Sequence, residues 1–348
     1  MARARIALLG MAWLALVTFP FWIGNRPYLV TVINQVAIFA LWAIAYNLLY
    51  GYLGEISFGH AAFFGLGAYA VPLAMTHLGA PVGVAMLLGV LLAGVWEALI
   101  SVVLRQAHGV FYAIMTFTFA QVVYFVVLKW TAFTGGDDGM MVTRPPWLTR
   151  PEHYFVFSVL AASVGAALLW RIVNSPGGRV VVAIAQNERR ARQLGYNTGV
   201  YRALAFVISG MFSGLAGTMF SQLIFFVSPN VLHWTFSGEV VIMTIVGGAG
   251  AFLGPVLGAA FFVIVQEYVS SLTASSLTVG PFALSRLGER WPLVMGFLFF
   301  LVIVFEPDGL FGLVRRLAGR PAFLVSRGKT PVGEIEILNS ENPHGGRS

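Results

Sequence analysis

Ser57 and His60 stand three positions apart, close enough for a hydroxyl and an imidazole to be read as nucleophile and base. Glu97, Glu239 and Glu267 each interrupt a long apolar run. A carboxylate there is costly unless it is paired, faces water or passes protons. Residue types alone therefore raise two chemistries, hydrolysis at a Ser–His pair and a proton relay along buried glutamates. Three positions on one helix rarely give nucleophile–base geometry, and no oxyanion arrangement accompanies the pair, so hydrolysis is set aside. For the glutamates, capping a broken helix or bonding across neighbouring spans is favoured over a relay. His60 either lines a pathway or bonds backbone groups freed where its segment starts, and Ser57 is a candidate cap for that segment. The chain has no cysteine, which excludes disulfides and thiol metal sites. It also lacks the GxxxxGK[ST] phosphate loop. No catalytic residue, metal site or cofactor is assigned.

The elements that must hold these residues are membrane helices. Apolar residues make up 58% of the 348 and charged residues 10%, against roughly 25% charged in soluble domains. Mean hydropathy is +0.82. The formal charge of +7 does not point to nucleic acid, because the basic residues fall between apolar runs instead of sharing one soluble face. Candidate spans cover 6–24, 28–50, 58–76, 82–104, 109–129, 153–173, 203–227, 236–249, 251–271 and 290–305. The first begins like a signal peptide but is too long and lacks a small-x-small cleavage site, so it is read as retained. Gly59, Gly65, Gly67 and Pro72 predict a broken third segment, and the three glycines are read as permitting close helix packing. The eighth is short and the ninth opens on Gly254-Pro255, as in re-entrant or discontinuous helices buried against protein. The 29 phenylalanines are read chiefly as lipid-facing bulk and packing.

The expected fold is thus all-α and polytopic, with about ten transmembrane helices, some of them broken. With the N-terminus inside, ten crossings put most of the 21 Lys and Arg residues on inside segments and both termini in the cytoplasm. Two groups of five have opposite orientations, as an inverted repeat requires. Ser57-Phe58-Gly59-His60, opening the third segment, faintly echoes Phe236-Ser237-Gly238-Glu239, opening the eighth. Residues 1–320 form the membrane domain. Residues 321–348 read as a polar, disordered cytoplasmic tail.

One cytoplasmic connection, residues 174–202, differs from a plain connector. Ser175-Pro176-Gly177-Gly178 turns the chain out of the bilayer, and residues 179–194 then predict one short helix. Val180, Ile184, Ala191 and Leu194 fall near one face of it, and Gly195 sits where a helix favours a C′ glycine. A second short helix is expected from Asn197-Thr198 into the seventh span. A solvated basic connector needs neither the apolar stripe nor the Gly-terminated helix tethered at both ends; a docking helix for a cytoplasmic partner uses both.

That stretch resembles the EAA loop of ABC importer permeases, with Glu188, Ala191 and Gly195 at matching positions and Arg190 where the family usually has alanine. Further blocks are similar to the branched-chain amino-acid permeases of the LivM type. They are Asn47-Leu-Leu-Tyr-Gly-Tyr-Leu-Gly54 with Ser57-Phe-Gly-His-Ala-Ala-Phe-Phe-Gly65, Thr134-Gly-Gly-Asp-Asp-Gly139, and Gly247-Gly-Ala-Gly250 with Leu253-Gly-Pro-Val-Leu-Gly-Ala259. Four blocks in family order cover most of the chain.

The resemblance implies an importer subunit, not an enzyme, in the bacterial inner membrane. It would work with a second homologous permease, two cytoplasmic ATP-binding subunits and a periplasmic amino-acid-binding protein. Arg179, Glu188, Ala191 and Gly195 would couple to the ATPases. Ser57, Gly59, His60, Glu239, Gly247 and Gly248 are the candidate pathway residues, since half-helix termini near glycine breaks can meet the ends of a zwitterion. Urea or short amides are the alternative cargo, and a proton-coupled secondary transporter is the alternative mechanism.

Overall fold

The computed structural model of the protein describes residues 17–22, 26–104, 107–273, 278–279, 282–283, 291–306 and 308–317. Most of the expected first span, Arg105 and the whole 321–348 tail lie outside the described residues. In chain order the principal helices are α1 (Pro27–Asn47, continued by a π-helical turn over Leu48–Leu53), α2 (His60–Leu78), α3 (Val82–Val103) and α4 (Gly109–Lys129). Then come α5 (Pro151–Asn174), α6 (Pro176–Gln186), α7 (Glu188–Gln193), α8 (Thr198–Ile224), α9 (Trp234–Gly247), α10 (Gly254–Thr273), α11 (Trp291–Phe305) and α12 (Gly309–Leu317). Among the described residues six helices are long and apolar enough to cross a bilayer: α1 with its π turn, α2, α3, α4, α5 and α8. The protein is an all-α polytopic membrane protein. The remaining crossings of an expected ten would fall to α9, α10, α11 and the segment around 17–22.

The helices start and stop where the sequence supplies the chemistry. Pro27, Pro151 and Pro176 stand in first turns, where a missing N–H costs nothing. Ser175, Asn187 and Asn197 cap α6, α7 and α8 by accepting the N–H groups of Gly178, Arg190 and Val200. α8 ends at Phe225, which has a left-handed φ of 63°. Arg144 holds that end. Its guanidinium lies 3.8 Å from both the Tyr154 and Phe225 ring centroids and donates to the Gln222 and Leu223 carbonyls at 2.6 and 3.0 Å. The loop before it folds back as Met140–Met141, antiparallel to Phe226–Val227.

The third segment departs from its expected form. α2 runs unbroken through Gly65, Gly67 and Pro72. Those glycines serve contact. A Cβ on Gly67 would sit 2.1 Å from the Gly214 carbonyl oxygen, and one on Gly217 would sit 1.8 Å from that of Phe64. α3 closes on the same pair through Gly89 and Gly94, which face Thr218 and Met211. Small residues let these backbones touch, and dispersion over that area holds helices together where lipid offers no hydrophobic drive. α2 and α8 are accordingly 67% and 61% buried, while α5 is 28% buried and faces outward.

Two helices begin inside the bundle. Gly59, just before α2, lies against Thr116, about 10 Å of helix rise beyond the start of α4. His60 meets Ser209, roughly 16 Å beyond the start of α8. α9 has 14 residues and therefore spans only about 21 Å of a 30 Å hydrocarbon layer. Its first residues touch the middle of α4 through Phe117–Trp234 and Tyr124–His233 ring contacts. The eighth segment is thus the short, protein-buried helix expected of it, broken from α10 at 248–253.

Gly217→Val should lower the thermal unfolding midpoint of the detergent-solubilised protein, with an overpacking cost on the order of 1–3 kcal/mol. Gly83→Ala, where an added Cβ meets nothing within 4 Å, should leave the midpoint unchanged.

Candidate functional site

The two echoing tetrapeptides meet. Ala61 N–H, in the first turn of α2, donates to Ser237 Oγ of α9 at 2.8 Å. The cap expected of Ser57 is therefore supplied by the other half of the chain. Ser57 Oγ instead accepts Gly59 N–H at 3.2 Å and lies 3.1 Å from His60 Nδ1. His60 Nε2 lies 2.9 Å from Ser209 Oγ, which donates to the Ala45 carbonyl at 2.6 Å. Ser209 has spent its one proton, so it accepts from Nε2–H; Nδ1 then accepts from the Ser57 hydroxyl. The result is a directed chain from Ser57 through His60 and Ser209 to the α1 backbone. Ser57 is 1% exposed and His60 0%, so the pair is a closed packing network without access for a hydrolytic substrate.

The other candidate pathway residues divide. Gly247 and Gly248 are buried at the α9–α10 break, where Gly248 has a φ of +108° and packs on the Asp308 carbonyl. Asn47, absent from the sequence-derived candidates, clamps that break. Its side chain accepts Gly250 N–H at 3.0 Å and donates to the Ala251 carbonyl at 3.1 Å. Gly51 in the π turn gives the close approach, since a Cβ there would lie 2.4 Å from Gly250 N. Glu239 is half-buried in the second turn of α9, next to Gly238, whose added Cβ would meet nothing within 4 Å. Glu267, partly exposed, accepts from Tyr28 across spans. Both Glu97 oxygens lack a hydrogen-bond partner among the described residues, against the pairing expected of it.

The α6–α7 connection is two helices, not one. Asn187 adopts an extended φ of −162° and starts α7 anew, because its side chain competes with the helical backbone for Arg190 N–H. Val180, Ile184 and Ala191 point inward as the pattern predicts. Leu194, expected with them, is 73% exposed, since α7 ends at Gln193 and Gly195 turns the chain at φ +91°. Arg179 is exposed as well.

Glu188 is tied inward. It accepts from Thr198 Oγ1 and from Arg192, both at 2.9 Å, and lies 3.2 Å from His108 Nε2 and 3.7 Å from Arg202. Arg202, one turn into α8, also bonds Glu55 at 2.8 Å and the Ala107 carbonyl at 3.0 Å. Its other nitrogen packs against His108 Nε2. Glu55 takes Gly109 N–H at 3.1 Å. Burial pushes the Glu55 carboxyl up, and Arg202, the Gly109 N–H and His108 only partly offset it. At Glu188 burial pushes the same way, but the Thr198 hydroxyl, Arg202, His108 and Arg192 outweigh it and hold the carboxyl below its usual range. Sequence reading counted Arg202 only as an orientation charge and passed over Glu55 and His108. An arginine just inside the start of a long apolar run was the available signal.

Residues 28–304 match the family described as "Branched-chain amino acid transport system / permease component". The high-affinity branched-chain amino acid transport system permease protein LivM of Salmonella typhimurium is 24% identical over 341 residues, covering 90% of this chain and 76% of that protein. LivM of Escherichia coli is 25% identical over the same shares. The autoinducer 2 import system permease protein LsrC of Photorhabdus laumondii is 26% identical over 177 residues, 49% of this chain and 48% of that protein. No solved structure matches the chain.

Asn47→Leu should leave the Gly250 N–H and Ala251 carbonyl unpaired, at about 1–3 kcal/mol for each buried group. The expected outcome is a lower unfolding midpoint with new protease cleavage at 248–253, read by mass spectrometry.

Proposed function

We propose, for a chain that belongs to the family of branched-chain amino acid transport system permease components, that it is one of two permease subunits of an ATP-driven importer for branched-chain amino acids. ATPase subunits would dock on the α6–α7 hairpin, a periplasmic binding protein would deliver the cargo, and the chain itself would carry no chemistry. The match to LivM proteins over 90% of the chain, against 49% for LsrC, favours the amino-acid cargo.

The observation that carries the docking role is the hairpin itself. Its inner face is anchored by Val180, Ile184 and Ala191, while Leu194 and Tyr196 stand exposed beyond the membrane helices. An apolar patch held out on a rigid, doubly tethered loop suits a protein partner. The positive-inside balance supports a cytoplasmic position for this face, and the family supports a bacterial inner membrane as the setting. On the opposite side of the same reading, the first turns of α2 and α9 mark the pathway, with Ser57, Gly59, His60, Glu239, Gly247 and Gly248 shaping it. Since Ser57, Gly59 and His60 are enclosed, they would position the pathway wall, and Gly238 and Glu239 would face the cargo. ATP closure would move the hairpins and rock the spans to shift the opening across the bilayer.

Leu194→Asp should abolish co-purification of the ATPase subunits while the permease still extracts as a folded protein; retained ATPases would count against the docking role. Gly238→Phe, at a position where an added Cβ meets nothing within 4 Å, should cut uptake of labelled leucine by at least tenfold in proteoliposomes of the assembled importer without moving the unfolding midpoint. Undiminished uptake would remove α9 from the pathway.

A further inference from the structure

The hairpin's covalent connections lead only to α5 and α8, yet its charged contacts reach further. Arg202 stands at their centre. It is buried, with a side chain 7% exposed, and bonds a carboxylate on each side: Glu55 from the α1–α2 connection and Glu188 from α7. It also takes the Ala107 carbonyl and His108 from the strand of chain that starts α4. The two halves differ. The Glu55 side is short, at 2.8 Å, with Glu55 11% exposed and further fixed by Gly109 N–H. The Glu188 side is 3.7 Å, with Glu188 25% exposed, and is shared with Thr198 and Arg192.

A buried guanidinium between two carboxylates is stable only while both stay in place, because removing either strands a desolvated charge. A planar five-donor fork also fixes direction as well as distance. We propose that Arg202 is a positioning residue that fastens α7, the α1–α2 connection and the start of α4 into one body. A push on the hairpin would then reach α1, α2 and α4 together, rather than α8 alone. This rests on the docking reading above and adds to it the route by which the push travels. The consequence for the pathway is direct. The α1–α2 connection leads into Ser57 and His60, and before it the end of α1 and its π turn carry Asn47 and Gly51 against the α9–α10 break.

Because the chain has no cysteine, two introduced cysteines give a unique label pair within it. Gln193 on α7 and Val110 on α4 are both exposed. Spin labels there, in the permease assembled with its ATPases in lipid, report whether the two elements move as one. The 193–110 distance should stay constant, within the width of its distribution, between the nucleotide-free and the ATP–vanadate states. In Glu188→Gln, which leaves the Arg202–Glu55 bond in place, the distribution should broaden and become nucleotide-dependent. Leucine carried per ATP hydrolysed should fall at least fivefold. Arg202→Lys should fold through Glu55 and retain part of the constancy, with a distribution between those of the parent and Glu188→Gln. A nucleotide-dependent distance in the parent, or a Glu188→Gln variant with parental distances and parental coupling, would overturn the proposal. If Leu194→Asp still displaces the ATPases, the docking reading survives that failure; if it does not, the reading fails first.

Discussion

In hydrocarbon no water is available to the backbone, so every N–H and C=O at membrane depth must find a partner inside the protein. The interruptions in this bundle are organised by that constraint. The start of α2 is met by Ser237, and Phe58 N–H is taken by Thr116. The α9–α10 break is closed by Asn47, and the end of α8 is capped by Arg144. Each satisfying side chain comes from a different element than the backbone it serves. Discontinuous helices of this kind are therefore cross-links as well as breaks, and they join the two halves of the chain at the depth where a pathway would lie.

Close packing completes what those bonds begin. Gly67, Gly214 and Gly217 bring α2 and α8 to backbone contact. Beside them Phe39, Trp42, Phe64, Phe220 and Phe236 form one aromatic cluster, with ring centroids 4.5–6.3 Å apart. The cluster takes residues from α1, α2, α8 and α9, the same helices that the Ser57–His60–Ser209 chain and Ser237 connect. Polar links and ring packing thus define a single rigid centre. The hairpin and its charges attach to that centre through Glu55 and the π turn.

Composition and periodicity made the membrane class and most helices legible, because a long apolar run has few alternatives in lipid. The short α9 and its break were legible for the same reason, through length and Gly250, Gly254 and Pro255. The glycines of α2 read both as a break and as a close helix contact; the contact holds and the break does not, and the partner Gly214 decides between them. The single helix expected over 179–194 failed at Asn187, where a capping side chain outweighs an apolar stripe. The Arg202 network and the Asn47 clamp were hidden because their members are remote in sequence. Such pairings follow from how helices assemble and leave no periodic trace.

That remoteness also has a temporal side. Ala61 waits for a partner 176 positions later, and the amide and carbonyl that Asn47 clamps lie 203 and 204 positions beyond it. A ribosome delivers the chain from one end, so α2 enters the bilayer long before the serine that completes its first turn exists. During that interval the glycine face of α2 also lacks α8. The first half therefore completes its hydrogen bonds and its packing only once α8 and α9 have been made.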